Sequence, residues 1–268
     1  MNARIVFAIV ILGQLPYAPP VNAAIVVTGS LTKEFEVASG KSYEGTIDVL
    51  NPDQTPQEVK AYQTDYSFSS DGKVVYGDPG SVLRSNTRWI TLSPNQVTIP
   101  PGKTVTVHFA VDVPSDPTMK GTYWSVIMIE PVPEGSAESS RFGPPTMAIQ
   151  QVFRFAVQVV ANVGTTGARQ LKFHQVKLTD EKGKVVLDAD VSNTGERWLR
   201  GSLWIELYDA NGVSVGKFDG GTQRMYPGTS VRFTSELTGL KNASYKALIV
   251  VDCGGDDVFG AQINVALP

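Results

Sequence analysis

An internal repeat constrains the fold of this chain more than any other feature of its sequence. Four short motifs occur in the same order in both halves: IDVLNPDQTP and ADVSNTGERW, SSDGKVVY and DANGVSVG, IPPGKTVTVHF and MYPGTSVRFTS, KGTYWSVIMIEP and KNASYKALIVVDC. The offset between copies falls from 142 residues at Asn51 and Asn193 to 122 at Tyr123 and Tyr245. This pattern predicts two copies of one structural unit, with an insertion in the first copy over about YGDPGSVLRSNTRWITLSP.

Apolar residues alternate with polar ones over most of each unit, as in residues 104–111 and 185–191, and no segment shows a helical period. Asp71-Gly72 and Asn211-Gly212 are hairpin-turn signals, because both central turn positions tolerate positive φ. The sequence therefore predicts an all-β chain of two tandem immunoglobulin-like β-sandwich domains. We expect these domains at 24–162 and 171–268, joined by the linker VGTTGARQ at 163–170.

The first 23 residues have the composition of a secretory signal peptide, with Arg4, the apolar run IVFAIVILG and a final Val-Asn-Ala. We expect cleavage before Ala24, and no integral membrane segment in the mature chain. The single cysteine, Cys253, allows no disulfide within the chain, so the hydrophobic cores must stabilise the domains by themselves.

The sequence offers little for catalysis or for nucleic-acid binding. The net charge is −3 and no basic cluster is present, which argues against a nucleic-acid partner. His108 and His174 lack a second metal ligand at a suitable spacing, and Cys253 has acidic neighbours. We expect no enzyme activity, catalytic residue, metal or cofactor. The GGDD stretch at 254–257 fits a hairpin turn better than a loose cation site.

A well-patterned strand follows a loop that no packed core would accommodate. Residues 147–159 read MAIQQVFRFAVQV, with apolar residues at every second position from Phe153 to Val159. The preceding stretch, PEGSAESSRFGPP, is rich in glycine, serine and proline. Two interpretations stay open. The strand is either an inner strand of the first sandwich or an edge strand that pairs with another protein.

Residues 86–131, NTRWITLSPNQVTIPPGKTVTVHFAVDVPSDPTMKGTYWSVIMIEP, resemble the N-terminal domain of the periplasmic pilus-assembly chaperones, the PapD-like family. The shared order is an aromatic residue, a Ser-Pro turn, a Pro-Gly turn, an alternating strand, a proline segment and then Gly-Thr-Tyr-Trp before an apolar strand. In that family a mobile loop and a long edge strand come next, and residues 131–147 and 148–160 fit those places. The resemblance implies a periplasmic chaperone-like protein.

The same resemblance implies a binding site for a pilin-like or other exported protein subunit. In the chaperones the long strand adds to an incomplete sandwich of the subunit, and its alternate side chains fill the subunit's groove. Met147, Ile149 and Val152 are the expected donor-strand residues. Family members hold the subunit's terminal carboxylate with two basic residues, for which Arg154 and Lys33 are the matches here, although the family has arginine at the second position.

A second resemblance gives a different function. The same residues, together with TDYSFSSDGKVVY at 64–76, are similar to the N-terminal domain of the WxL-interacting surface proteins. The alternative to the chaperone interpretation is therefore a cell-envelope adhesion or scaffold module that binds peptidoglycan or a surface protein. That function predicts an apolar or aromatic surface patch near Trp89 or Trp198.

Overall fold

The computed structural model describes residues 25–133, 136, 152–181 and 184–267, and the predicted signal peptide at 1–23 lies outside them. In these segments the chain is almost entirely β-structure and forms two β-sandwiches, which confirms the predicted fold class. The strands of the first sandwich are β1 (Val26–Thr28), β2 (Thr32–Val37), β3 (Ser42–Leu50), β4 (Gln57–Phe68), β5 (Val74–Gly77), β6 (Ile90–Ser93), β7 (Gln96–Ile99), β8 (Thr104–Asp112), β9 (Gly121–Pro131) and β10 (Phe155–Val163). Those of the second are β11 (Leu171–Glu181), β12 (Lys184–Asn193), β13 (Leu199–Tyr208), β14 (Ser214–Met225), β15 (Ser230–Leu237), β16 (Ser244–Asp252) and β17 (Val258–Ala266).

Two sheets face each other in the first sandwich. One has the strand order β1-β3-β8-β6, and the other has the order β2-β10-β9-β4-β5, with β7 also paired to β4. The first strand segment changes sheets at Gly29, whose φ of +81° suits glycine, so that β1 pairs with β3 while β2 runs parallel to β10. The last strand of this sandwich is therefore covered on part of its outer side by β2.

The second sandwich repeats this plan with fewer strands. Its two sheets have the orders β11-β12-β15 and β14-β13-β16-β17. No strand pairing among the described residues crosses from β1–β10 to β11–β17, although the two sandwiches contact each other through side chains. The division into two domains at 24–162 and 171–268, with a linker at 163–170, stays a prediction.

The internal repeat corresponds to a repeated hydrogen-bond motif. Asn51 and Asn193 are both fully buried at the ends of β3 and β12. The side-chain amide of Asn51 donates to the carbonyl four residues further on at 2.8 Å and to that of Ile99 at 2.9 Å. That of Asn193 donates to the carbonyl four residues further on at 2.8 Å and to that of Met225 at 3.0 Å. The matched asparagines thus close the same corner in each sandwich.

The two predicted hairpin turns are also confirmed. Gly72 and Gly212 have φ values of +82° and +78°, which L-residues with a side chain rarely adopt. The amide of Gly72 donates to Ser69 and that of Gly212 to Asp209, at 2.9 and 3.0 Å.

The predicted insertion divides the first-sandwich counterpart of β14 into two separate strands, β5 and β7. In the second sandwich, β14 pairs with β13 from Ser214 to Met225. In the first sandwich, β4 pairs with β5 at one end and with β7 at the other, and the chain between them makes a 3₁₀ turn (Thr87–Trp89) and strand β6. The insertion therefore adds β6 to the opposite sheet.

Each sandwich has its own core, and a smaller cluster joins them. The first core is built on strands β8, β9 and β10, and the second on β12, β13 and β16. The joining cluster contains Trp124, Val160 and Tyr226, all at most 2 % exposed. The rings of Trp124 and Tyr226 stack with centroids 5.1 Å apart and an interplanar angle of 11°. An aromatic stack of this kind holds the two sandwiches against each other.

Candidate functional site

Strand β10 is paired on both sides over only part of its length. It pairs antiparallel with β9 from Phe155 to Val163, but its parallel pairing with β2 begins at Gln158. In the part of the chain that the structure describes, residues 155–157 thus have a strand neighbour on the β9 side alone. Among the described residues the strand is internal from Gln158 onward and at a sheet edge before it, and its pairing with another protein stays a prediction.

The direction of the main-chain groups at this edge follows from one hydrogen bond. The amide of Gln158 donates to the carbonyl of Leu31 at 2.8 Å, so the main chain of Gln158 faces β2. Successive residues of a strand point their amides to opposite sides. The N–H and C=O of Ala156 therefore face the same side as those of Gln158, where β2 has not yet begun, while Phe155 and Val157 bond to β9.

The side chains along this strand follow the predicted alternation. Val157 and Val159 are fully buried, and Phe155 packs against the first core. Phe153 precedes the strand and is 40 % exposed. An apolar side chain thus lies on the surface next to the open main-chain groups, which is the combination that strand addition uses.

The expected donor-strand residues lie mostly outside the described part of the chain. Met147 and Ile149 belong to residues 137–151, which the structure does not describe. Val152 is described, is half-buried and lies three residues before β10 begins. Their role as donor-strand residues stays a prediction.

The structure does not bring the two expected carboxylate anchors together. Lys33 is in register with Val159, five residues further along β10 than Arg154. At about 3.3 Å per residue this is a separation of roughly 17 Å along the strand. Arg154, whose side chain is 56 % exposed, lies 3.6 Å from Glu130. Arg154 is the one of the two that lies next to the open edge, and the role of both residues as carboxylate anchors stays a prediction.

Glu130 of β9 connects Arg154 to side chains of strand β4. It accepts a hydrogen bond from the Tyr62 hydroxyl at 2.8 Å, and Lys60 lies 3.9 Å away. Burial, followed by the bond to Glu130, raises the pKa of Tyr62 above its ordinary value. The Arg154 guanidinium is thus part of a charged group at the surface of the sheet.

A second group of polar side chains lies between the sandwiches, and the sequence did not indicate it. Arg224 of β14 donates to Glu34 of β2 at 2.6 Å, and its guanidinium lies 3.7 Å from the ring centroid of Trp198. Glu34 also accepts from the Asn162 amide at 2.7 Å. The Tyr226 hydroxyl donates to Gln158 at 2.8 Å, and burial raises its pKa strongly.

This inter-sandwich group connects β2 and β10 to the second sandwich. Next to it is a cavity of about 430 Å³, lined by residues of both sandwiches that include Phe68, Gln158 and Arg224. The contact between Glu34 and Arg224 joins residues 190 positions apart. No local pattern in the sequence could have shown it, because each residue alone is typical of an exposed strand position.

The other residues that the sequence singled out pack against neighbouring side chains or form a turn. Trp89 packs on Tyr123 with centroids 4.7 Å apart, and Trp198 is covered by Arg224, so these two rings do not form the exposed aromatic patch that the adhesion hypothesis predicts. The stretch at 254–257 is the turn between β16 and β17, as expected. Burial and two aspartates raise the pKa of Cys253 to about 11.

Neither a metal-binding cluster nor a membrane-spanning helix occurs among the described segments. They contain no group of three or more His, Cys, Asp or Glu side chains placed to hold a metal ion. None of their helices has the length and hydrophobicity that a membrane crossing requires.

No protein-family model and no curated protein sequence matches the chain. Among solved structures, it is similar to one described as a chaperone–tip adhesin complex of CFA/I fimbriae biogenesis, with 14 % identity, a TM-score of 0.47 and coverage of 90 % of this chain and 98 % of the other. It is also similar to the CupB2 chaperone of Pseudomonas aeruginosa, with 17 % identity, a TM-score of 0.39 and coverage of 91 % and 100 %. A third is the CsuC–CsuE chaperone–tip subunit pre-assembly complex of archaic chaperone-usher pili from Acinetobacter baumannii, with 13 % identity, a TM-score of 0.44 and coverage of 90 % and 98 %.

Each of these three solved structures contains a chaperone. The similarity to the WxL-interacting proteins stays a prediction.

Proposed function

We propose that this protein is a periplasmic chaperone-like protein that binds pilus or surface-protein subunits by strand addition at β10. The observation that carries the proposal is the one-sided pairing of β10 before Gln158, which leaves the main chain of Ala156 facing an open edge. Main-chain hydrogen bonds to such an edge supply affinity without requiring a particular sequence in the added strand. The predicted donor residues Met147, Ile149 and Val152 lie immediately upstream of it.

The surroundings of this edge support a polypeptide ligand rather than a small substrate. Phe153 presents an exposed ring, and Arg154 presents a cation that only Glu130 neutralises at close range in the described part of the chain. A subunit with a terminal carboxylate can displace Glu130 from Arg154 and so gain a charge-assisted hydrogen bond. The proposal assigns no catalytic step and no cofactor, and it takes residues 1–23 as the export signal.

Binding is tested by co-expressing the protein with pilin-like exported subunits from the same genome and isolating the complex. We expect a one-to-one complex with a subunit that lacks its own final strand. Ala156→Pro removes the N–H that faces the open edge but none of those that bond to β9, so the fold should persist. Loss of that hydrogen bond should weaken binding about three- to tenfold.

Ala156→Ser is the matched control, because it keeps the N–H and should bind like the unchanged protein. Thermal unfolding of both variants checks that the sandwich is intact. If no exported subunit forms a complex, or if Ala156→Pro binds as tightly as Ala156→Ser, strand addition at this edge is excluded.

The anchor is tested separately with Arg154→Ala and Glu130→Gln. Removing the arginine should weaken the complex, whereas removing its internal competitor should strengthen it, since the guanidinium then bonds only to the subunit. Unchanged affinity in both variants contradicts the role of Arg154 and leaves the main-chain contact as the binding interaction.

A further inference from the structure

The last strand of the second sandwich has an outer side that no described strand covers. β17 pairs with β16 along its whole length, and it is the final strand in the order β14-β13-β16-β17. In the first sandwich the equivalent last strand, β10, is covered by β2 from Gln158 to Val163. In the second sandwich the first strand, β11, pairs with β12 in the other sheet. The two copies of the repeat therefore differ in how they end.

The main-chain groups on the outer side of β17 can be assigned from two hydrogen bonds. The amide of Cys253 donates to the carbonyl of Asp257 at 2.9 Å, and that of Leu267 donates to Ala243 at 3.0 Å. The odd-numbered residues of β17 therefore bond to β16. By alternation, the N–H and C=O groups of the even-numbered ones face outward: Val258, Gly260, Gln262, Asn264 and Ala266.

The sequence of β17 lacks the features that normally prevent edge pairing. Charged side chains, prolines and bulges protect exposed edges from other strands. The strand reads VFGAQINVA, with no charge and no proline, and its register with β16 is unbroken. Two other long edge strands of this sandwich are protected, since β11 carries Lys172 and Lys177, and β14 carries Lys217 and a register shift against β13.

We propose that this outer edge is an interface at which a second copy of the chain pairs antiparallel to the first, centred on Gln262. In that register Phe259 lies opposite Val265 of the second copy, and Ala261 lies opposite Ile263, so apolar residues on the inner face meet apolar residues. Gly260 lies opposite Asn264 on the outer face. The two four-stranded sheets become one continuous sheet of eight.

Charge favours a second copy in the antiparallel orientation. The turn at one end of β17 carries Asp256 and Asp257. An antiparallel pair places the two acidic turns at opposite ends of the joined strands, roughly 34 Å apart or more at about 3.4 Å per residue. A parallel pair would place them side by side, where like charges repel. The inference is independent of subunit binding at β10, because it uses an edge strand of the second sandwich.

The interface is tested with the purified protein by sedimentation equilibrium over a range of concentrations. We expect a reversible dimer. Gln262→Lys places two lysines next to each other at the centre of the interface and should give a monomer, as should Gln262→Glu alone. An equimolar mixture of the two variants should restore the dimer, because the central pair is then of opposite charge. Far-UV circular dichroism shows that each variant is folded.

The register is tested by cross-linking in a Cys253→Ser background. Opposite residues in a hydrogen-bonded antiparallel pair have Cα atoms about 5.5 Å apart, which a disulfide can span. Gln262→Cys should therefore form a covalent dimer on oxidation, whereas Val258→Cys should not, since its two copies lie at opposite ends. A monomer at all concentrations, or a dimer that survives both charged variants, overturns the proposal. So does efficient cross-linking through position 258.

Discussion

The buried asparagine at each corner gives the most direct test of the repeated plan. We expect Asn51→Ala and Asn193→Ala to destabilise the protein without changing its fold. Each side chain donates to two main-chain carbonyls and accepts from one amide, that of Asp53 or Gly195, at 2.9 Å. The Gly195 amide also lies 3.2 Å from the carbonyl of Gln170. Asn51→Ala thus leaves three main-chain groups without their side-chain partner. Asn193→Ala leaves two, because the Gly195 amide keeps the carbonyl of Gln170.

The expected loss of stability follows from the number of main-chain groups that lose the asparagine side chain as a hydrogen-bond partner, of which the carbonyls of Ile99 and Met225 are buried. A buried polar group that loses its partner costs about 1–3 kcal/mol. The carbonyls have a second lone pair, so the lower end of that range applies to each. We expect a loss of about 3 kcal/mol in the free energy of unfolding for Asn51→Ala and about 2 kcal/mol for Asn193→Ala.

Urea unfolding, followed by tryptophan fluorescence and far-UV circular dichroism, measures both values. If the sandwiches unfold in separate transitions, each variant should shift only the transition of its own sandwich, at an unchanged slope. Asn95→Ala is the control, because Asn95 is exposed, and it should change stability by less than about 0.5 kcal/mol. A loss below about 1 kcal/mol for both buried asparagines would show that the amides do not hold the corners.

Three further predictions concern charge, reactivity and the junction between the sandwiches. Hydrogen bonds from Arg232 hold the pKa of Asp190 below its ordinary value of 3.8, so the pair stabilises the protein above that pH. Asp190→Asn should therefore destabilise at pH 7, and the difference in urea midpoint should vanish as the pH falls below 3.8 through the lowered pKa. The rate of Cys253 alkylation by iodoacetamide should have its pH midpoint at about 11 in the folded protein and at about 9 in the urea-unfolded protein. Trp124→Ala removes a buried ring that stacks on Tyr226 and donates to a carbonyl at 2.9 Å, and it should cost about 3–5 kcal/mol by urea unfolding; a loss near that of an exposed substitution contradicts a role in joining the sandwiches.

Local sequence signals predicted the architecture because they reflect local physical requirements. The glycines at 72 and 212 are required by positive φ, and the asparagines at 51 and 193 are required by the same hydrogen-bond arrangement in both copies. The alternation of apolar residues predicted which face of β10 is buried from Phe155 onward. Each of these requirements acts within a few residues or within one repeated unit.

The candidate site depended on contacts that no local pattern encodes. The parallel register of β2 with β10 decides where the edge opens, and it joins residues more than 120 positions apart. That register also separates Lys33 from Arg154. The ion pair between Glu34 and Arg224 depends on how the two sandwiches pack. A basic residue in an alternating strand has the same appearance in the sequence whether it faces a ligand, a partner carboxylate or solvent.

The start of β2 also limits how far any added strand can extend. From Gln158 onward the hydrogen-bonding side of β10 is occupied, so an incoming strand must end its pairing at about Val157. Extending further would require β2 to peel away, and Glu34 would then lose both Arg224 and Asn162. If a polypeptide adds at this edge as proposed, the contact between the sandwiches therefore limits how far its pairing along β10 can extend.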